Sequence, residues 1–343
     1  MTKRVICLSR DGSATLDIHS LGRVAYLGGR FSPAQVAQIA RTIRRVPVVL
    51  LKVTGGGTKV GAVRAHFDYI SRKGRLEIET YIGDRIAKSQ QKAFLATWHL
   101  ELSPGQYRKA RIGQPAPRAT RLVKNIVLSM PSPTPPEKVF AAARAFAREK
   151  FAGQHRYAMV LHTDQQHPHV HLIVKAEGNH GRKLHIEKPM PRAWREDFAR
   201  LLREQSIAAN ATPRFARGRN KRKAKWGGFR AKRHCASTAV LERVKDIAHE
   251  LAQTGTIRDP AGAKLIRTRK AAIASRMKTA DVLDAQGEVV LAGDVRYFAS
   301  RLPPVLTDKE QLAIEFLRHR ESRRSAQRAA EEPTRARGEE FTR

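Results

Sequence analysis

The chain has 343 residues, enough for a catalytic domain of about 200 residues plus a smaller region or tail. Its 66 Lys and Arg stand against 31 Asp and Glu, a formal charge of +35 that favours a polyanionic partner, most commonly nucleic acid. No apolar run is long enough to span a bilayer and no basic amphipathic stretch carries aromatic anchors, so stable membrane insertion is excluded. Two distant cysteines, Cys7 and Cys235, argue against a disulfide framework.

Residues 1–46 read as a basic leader. Arg4 and Arg10 flank only the short run Val5–Leu8, so no secretory signal is expected, and with only Cys7 and Cys235 far apart a reducing, cytoplasmic compartment is the natural one. Ser32 and Pro33 suit the cap and first turn of a helix with Val36, Ile39 and Ile43 at helical spacing. Pro47–Val53 reads as a strand, broken by Thr54-Gly55-Gly56-Gly57-Thr58-Lys59, which lacks the spacing of a nucleotide-binding loop. Thr58 is placed to cap the next helix, where Val60, Val63, Phe67 and Ile70 form one apolar stripe. At about 100° per residue Tyr69 falls on the opposite side, beside the basic turn Ser71-Arg72-Lys73-Gly74. As residues alone, it is a nucleophile or an ordinary surface aromatic.

Lys88–Leu100 reads as a helix, Pro104–Thr120 as a basic loop and Arg121–Met130 as a strand. Thr134-Pro135-Pro136-Glu137 has the form of a capping box opening a helix to Lys150. A strand from Arg156 to Leu161, a short polar loop and a second strand to Lys175 form a hairpin. Lys183–Ile186 reads as a short strand and Pro191–Ala208 as a helix. This order predicts an α+β domain with a mainly antiparallel sheet.

Four of the thirteen histidines fall in the hairpin stretch His162-Thr163-Asp164-Gln165-Gln166-His167-Pro168-His169-Val170-His171. Side chains alternate along a strand, so His169 and His171 share a face, and the antiparallel return brings His162 to the same end. An unpartnered imidazole in so apolar a strand costs free energy, which favours a three-histidine metal site over a structural cluster. Imidazoles suit several divalent ions, such as Mn or Zn, and Mg stays open. Asp164 reads as a partner that orients an imidazole or a nucleophile.

Past residue 213 the character changes. Arg214–Arg233 holds ten Lys or Arg and no acid, interleaved with Phe215, Trp226 and Phe229. Lys221, Arg222, Lys223 and Trp226 suit phosphate contacts with base stacking, and a solvated linker is the alternative. Residues 218–320 read as a basic linker and helical accessory region, with helices at Thr238–Gln253 and Asp308–Arg318. Residues 321–343 read as a disordered tail.

Val48–Glu77 (with GGGTK and DYISRKG), Asn125–Pro131 (NIVLSMP) and Tyr157–Lys175 (H-x-D-x-x-H-P-H-x-H) resemble, in order, the three motifs of the DNA relaxases of conjugative and mobilizable elements. The nearest likeness is to the VirD-type T-DNA border endonuclease branch of the His-hydrophobic-His (HUH) superfamily, over residues 47–217. The resemblance implies a five-stranded antiparallel sheet flanked by helices, with a basic, helical C-terminal extension beyond it. It implies Tyr69 as nucleophile, Asp164 as the acidic residue near it, and His162, His169 and His171 as ligands of a divalent metal. Ser129 would contact DNA by the nick, and Lys59, Arg72 and Lys73 would track the strand's backbone. His167 matches this branch without a clear role, and His66 has no counterpart.

The activity so implied is nicking and rejoining of single-stranded DNA at a transfer origin through a 5′-phosphotyrosyl intermediate. Its partners would be accessory relaxosome proteins and the coupling protein of a type IV secretion channel, with the enzyme translocated together with its DNA. A replication initiator or transposase of the same superfamily, and a non-enzymatic DNA-binding protein with a structural metal, are the alternatives.

Overall fold

The computed structural model describes residues 29–103, 119–213, 217, 238–257 and 259–339. It has two compact units, one built on Phe31–Pro213 and one on Arg214–Arg343. In the first, α1 (Pro33–Ile43) precedes β1 (Leu50–Gly55), α2 (Val60–Ile70), β2 (Ile78–Thr80), β3 (Arg85–Ile86), α3 (Lys88–Thr97) and β4 (Val123–Ser129). Then come α4 (Pro136–Phe151), β5 (Tyr157–His162), β6 (His169–Lys175) and α5 (Met190–Glu204). The expected α+β class holds, with a six-stranded antiparallel sheet in the order β1-β4-β6-β5-β2-β3.

The expectation of five strands is corrected by the β2–β3 hairpin. Its strands are too short for an alternating pattern, and β2 buries the charged Glu79, whose carboxylate takes a fork from Arg144 of α4 at 2.5 and 2.7 Å. A buried charge at a core position hides a strand from any reading of hydrophobic period. Lys183–Ile186 is likewise not a strand; it contributes one isolated bridge, Glu177 to Lys183.

Helices cover both faces. On one, Phe146, Phe151, Trp194 and Phe198 of α4 and α5, set edge to face with one another, pack in one cluster with Leu51, Ile126, Leu128, Leu172 and Val174. On the other, Val63, Phe67 and Ile70 of α2, with Leu95 and Trp98, pack on Val123, Ala158, Val160 and Ile173. Ala158, Val160 and His162 alternate on β5, and His169, His171 and Ile173 on β6. The histidines therefore lie on the face that α2 covers.

The leader expected over residues 1–46 is not separate where it is described. Ser32 and Gln35 close a capping box on α1, and Phe31 and Ile39 are buried. The Thr42 hydroxyl lies 2.8 Å from that of Thr212, and Val49 donates its N–H to the Asn210 carbonyl while Asn210 donates its own to that of Pro47, both at 2.9 Å. Two other expected caps fail. α2 starts at Lys59 with no side-chain cap, and Thr134 gives its hydroxyl to the Pro131 carbonyl instead of capping α4.

The second unit is helical, as expected for the extension: α6 (Thr238–Thr254), α7 (Pro260–Ala285), α8 (Val289–Ser300) and α9 (Asp308–Glu339). Neither α7 nor α8 is legible as a helix in the reading above. They form a hairpin around Leu283, Leu291, Val295 and Phe298, and Arg296 pairs with Asp281 and Asp284. α9 runs on through most of the stretch expected to be disordered, where Ala, Arg, Gln and Glu are good helix formers. No helix among the described residues is long and apolar enough to cross a membrane.

Phe146 is fully buried among three aromatic rings. Phe146→Ala should therefore cost about 3–5 kcal/mol in urea unfolding followed by intrinsic fluorescence.

Candidate active site

Register builds the histidine cluster. β5 and β6 pair so that His162 lies opposite His169, and His171 pairs with Val160 on one side and Val127 of β4 on the other. The three rings stand 4.6, 4.9 and 5.2 Å apart between centroids, and one nitrogen from each lies within 4.8 Å of the others. Two nitrogens on one ion at about 2.1 Å each are at most about 4.2 Å apart, so a small closure seats a metal.

The hydrogen bonds leave the right lone pairs. His162 donates Nε2–H to the Ile70 carbonyl at 2.5 Å, and its buried Nδ1 has no partner. His169 donates Nδ1–H to the His167 carbonyl at 3.1 Å, leaving Nε2 for an ion. Burial, reinforced by the neighbouring histidines, pushes His171 down to about 3, and burial also lowers His162. Both rings are then neutral at neutral pH, as a ligand must be. The residues present thus fit a divalent ion.

Tyr69 is 57% exposed, while Val63, Phe67 and Ile70 on the same helix are buried. Its ring meets His171 edge-on at 6.1 Å, and the Arg72 guanidinium lies 5.3 Å from its centroid. Arg72 is itself held by the hairpin loop. Its Nε and Nη2 donate to one Asp164 oxygen at 3.0 and 2.5 Å, and the pair holds the Asp164 carboxyl below its usual range. Arg72, Lys73 and Gly74 all take positive φ, and the buried Ser71 hydroxyl accepts the Gly74 N–H, so the chain turns back sharply after α2. Asp164 is thus bonded to Arg72, beside the tyrosine ring, and not to an imidazole.

The sequence-derived set divides. Tyr69, Arg72, Asp164, His162, His169 and His171 come together, with Lys73 exposed on the same turn. Ser129 is buried beside the triad, but its hydroxyl donates to the Pro168 carbonyl at 2.9 Å, bracing the entry to β6. His167 braces the next loop by accepting the Ser132 N–H at 3.1 Å. Lys59 sits at the far end of α2, about 15 Å from Tyr69 at 1.5 Å per residue. Lys221, Arg222, Lys223 and Trp226 lie outside the described residues, as does the basic loop around Tyr107.

One neighbour escaped the sequence reading. His66 stacks on Tyr69 at 6.0 Å and meets His171 edge-on at 6.3 Å, with its Nε2 buried and unpartnered. Its position three residues before Tyr69, one turn along the same helix, was the available signal.

Residues 85–207 match the family described as Relaxase: MobA/VirD2-like, nuclease domain. The T-DNA border endonuclease VirD2 of Agrobacterium fabrum is 29% identical over 201 residues, 54% of this chain and 44% of that protein. The VirD2 of Rhizobium rhizogenes is 28% identical over the same length, 54% of this chain and 45% of its own. The sheet unit is similar to the nuclease domain of VirD-type relaxases. The chain spans less than half the length of these curated relatives. Among solved structures, the MobM relaxase domain bound to plasmid pMV158 oriT DNA, with manganese, is similar at a TM-score of 0.34 and 13% identity over 55% of this chain and 98% of its own. The family match to the relaxase domain takes in the three histidines and Asp164 and begins after Tyr69.

Titration with manganese or zinc should reveal one site per chain by calorimetry. His162→Ala, His169→Ala and His171→Ala should each weaken it by at least about 100-fold while the fold is kept.

Proposed function

We propose that this chain is a DNA relaxase, which nicks and rejoins one DNA strand at a transfer origin. The observation that carries this reading is the exposed Tyr69 ring set edge-on to His171 of a buried three-imidazole cluster. A purely structural metal site has no use for such a tyrosine.

The Tyr69 oxygen attacks phosphorus, forming a phosphotyrosyl bond to the 5′ side as the 3′ oxygen leaves and takes up a proton. A divalent ion on His162, His169 and His171 would neutralise the non-bridging oxygens of the scissile phosphate. Arg72, anchored by Asp164, fixes the approach of the ring and adds positive charge beside the phosphate. Because the phosphodiester bond energy is kept in the tyrosyl link, the released 3′-hydroxyl can reverse the step. The phosphate must reach a site recessed beneath α2, which calls for an unpaired strand, and Arg72 and Lys73 suit its backbone. The named activity of the VirD2 relatives, cleavage at T-DNA borders, supports a transfer origin over a replication origin.

Tyr69→Phe should bind single-stranded DNA within about twofold of wild type, since affinity comes mainly from Lys and Arg, yet form no covalent adduct. An adduct mapped by mass spectrometry to Tyr81, Tyr107 or Tyr157, or full nicking after exhaustive EDTA treatment, overturns the proposal.

Accessory relaxosome proteins and a secretion-channel coupling protein belong to the same proposal. Residues 321–343 suit the second, because they carry Arg323, Arg324, Arg328, Arg335, Arg337 and Arg343. Deleting residues 321–343 should leave nicking in vitro intact and lower DNA transfer between cells. Transfer at the full-length level would remove the coupling role.

A further inference from the structure

At the end of the sheet away from the triad lies a cavity of about 620 Å³. Among the described residues, Thr58, Thr120, Arg121, Lys124, Lys183 and His185 line it, with only Ala119 and Leu184 apolar and no carboxylate. The volume suits a ligand pocket, but so cationic a wall does not suit the apolar small molecules that such pockets usually hold. Hydroxyls beside an Arg fork and lysines match phosphate oxygens.

The glycine-rich motif builds one wall. A Cβ on Gly56 would stand 1.8 Å from the Val123 carbonyl oxygen, and the Gly57 carbonyl accepts the Leu122 N–H at 2.7 Å. Glycine therefore lets the loop lie directly on the start of β4 and carry Thr58 to the rim. This gives GGGTK a task outside the chemistry at Tyr69.

Location selects the ligand. Val123 pairs with Lys175 at the cavity end of the sheet and Ser129 with His169 at the triad end. Those six residues of β4 separate the two sites by about 20 Å. Phosphates of one stacked strand are about 3.4 Å apart, so a strand at the triad reaches the cavity within on the order of six nucleotides. We infer that this cavity is a second phosphate-binding site, which holds the backbone of the same DNA strand away from the cleaved bond. The inference rests on the relaxase reading.

The test uses the full chain and an oligo(dT) probe about thirty nucleotides long, long enough to span both sites. Arg121→Gln with Lys183→Gln should weaken probe binding about tenfold. It should also make the slope of log K against log salt shallower by about 1.4, the share of two phosphates on a single strand. Arg121→Lys with Lys183→Arg should restore both. Adduct formation at saturating DNA should stay at the wild-type rate, which a variant with a damaged fold would not achieve. The control Arg320→Gln with Arg324→Gln removes two exposed cations elsewhere. Cavity and control variants that cannot be told apart overturn the inference while leaving the relaxase reading intact. Binding of dTMP alone by the wild type, with probe affinity unchanged in the cavity variant, assigns the pocket to free nucleotides and also overturns it. A wild-type chain that neither binds the probe nor forms an adduct sinks both.

Discussion

The hydrogen bond from His162 Nε2 to the Ile70 carbonyl is the joint on which the site turns. It leaves the lone pair on Nδ1, the nitrogen free to face an ion, and it ties the end of α2 to the end of β5. A ligand imidazole is commonly oriented by a carbonyl on its other nitrogen. Here that carbonyl belongs to the residue after Tyr69. The contact that sets the tautomer of this imidazole therefore also sets the distance between cluster and tyrosine.

The second tie has a different character. Arg72 and Asp164 are partly exposed, at 27% and 50% of their side chains, so their bond adds at most a small stability in water. What it supplies is direction. An exposed tyrosine would otherwise sample several rotamers, and a guanidinium pinned between the β5–β6 loop and the aromatic ring limits them. The positive φ of Arg72 and Lys73 is a local cost accepted for this geometry.

Legibility in the sequence followed the length and regularity of each element. β5, β6 and α2 are long enough to carry a period, so the shared face of His169 and His171 and the outward Tyr69 could be read directly. β2 and β3 could not, because three and two residues hold no period and Glu79 breaks the apolar rule. α7 was hidden because its apolar positions are diluted by Arg and Lys, whose stems cover surface while their charges reach water. The roles of Asp164 and Ser129 were not legible for another reason. Both residues could be placed near the site, but which atom each one bonds depends on loop geometry that spacing does not encode.

α2 joins these levels. Its eleven residues span about 16 Å, with the glycine-rich turn at its start and the Ser71-Arg72-Lys73-Gly74 turn at its end. Its buried stripe of Val63, Phe67 and Ile70 locks it to β4, β5 and β6, so neither end can move without disturbing the core. The first turn places Thr58 at the cationic cavity, and the last places Tyr69 and Arg72 over the histidines. A helix fixed in this way holds the cavity wall and the tyrosine at constant separation. A strand gripped at the cavity would then meet Tyr69 in one register, so positioning could come from backbone phosphates while base identity is read elsewhere.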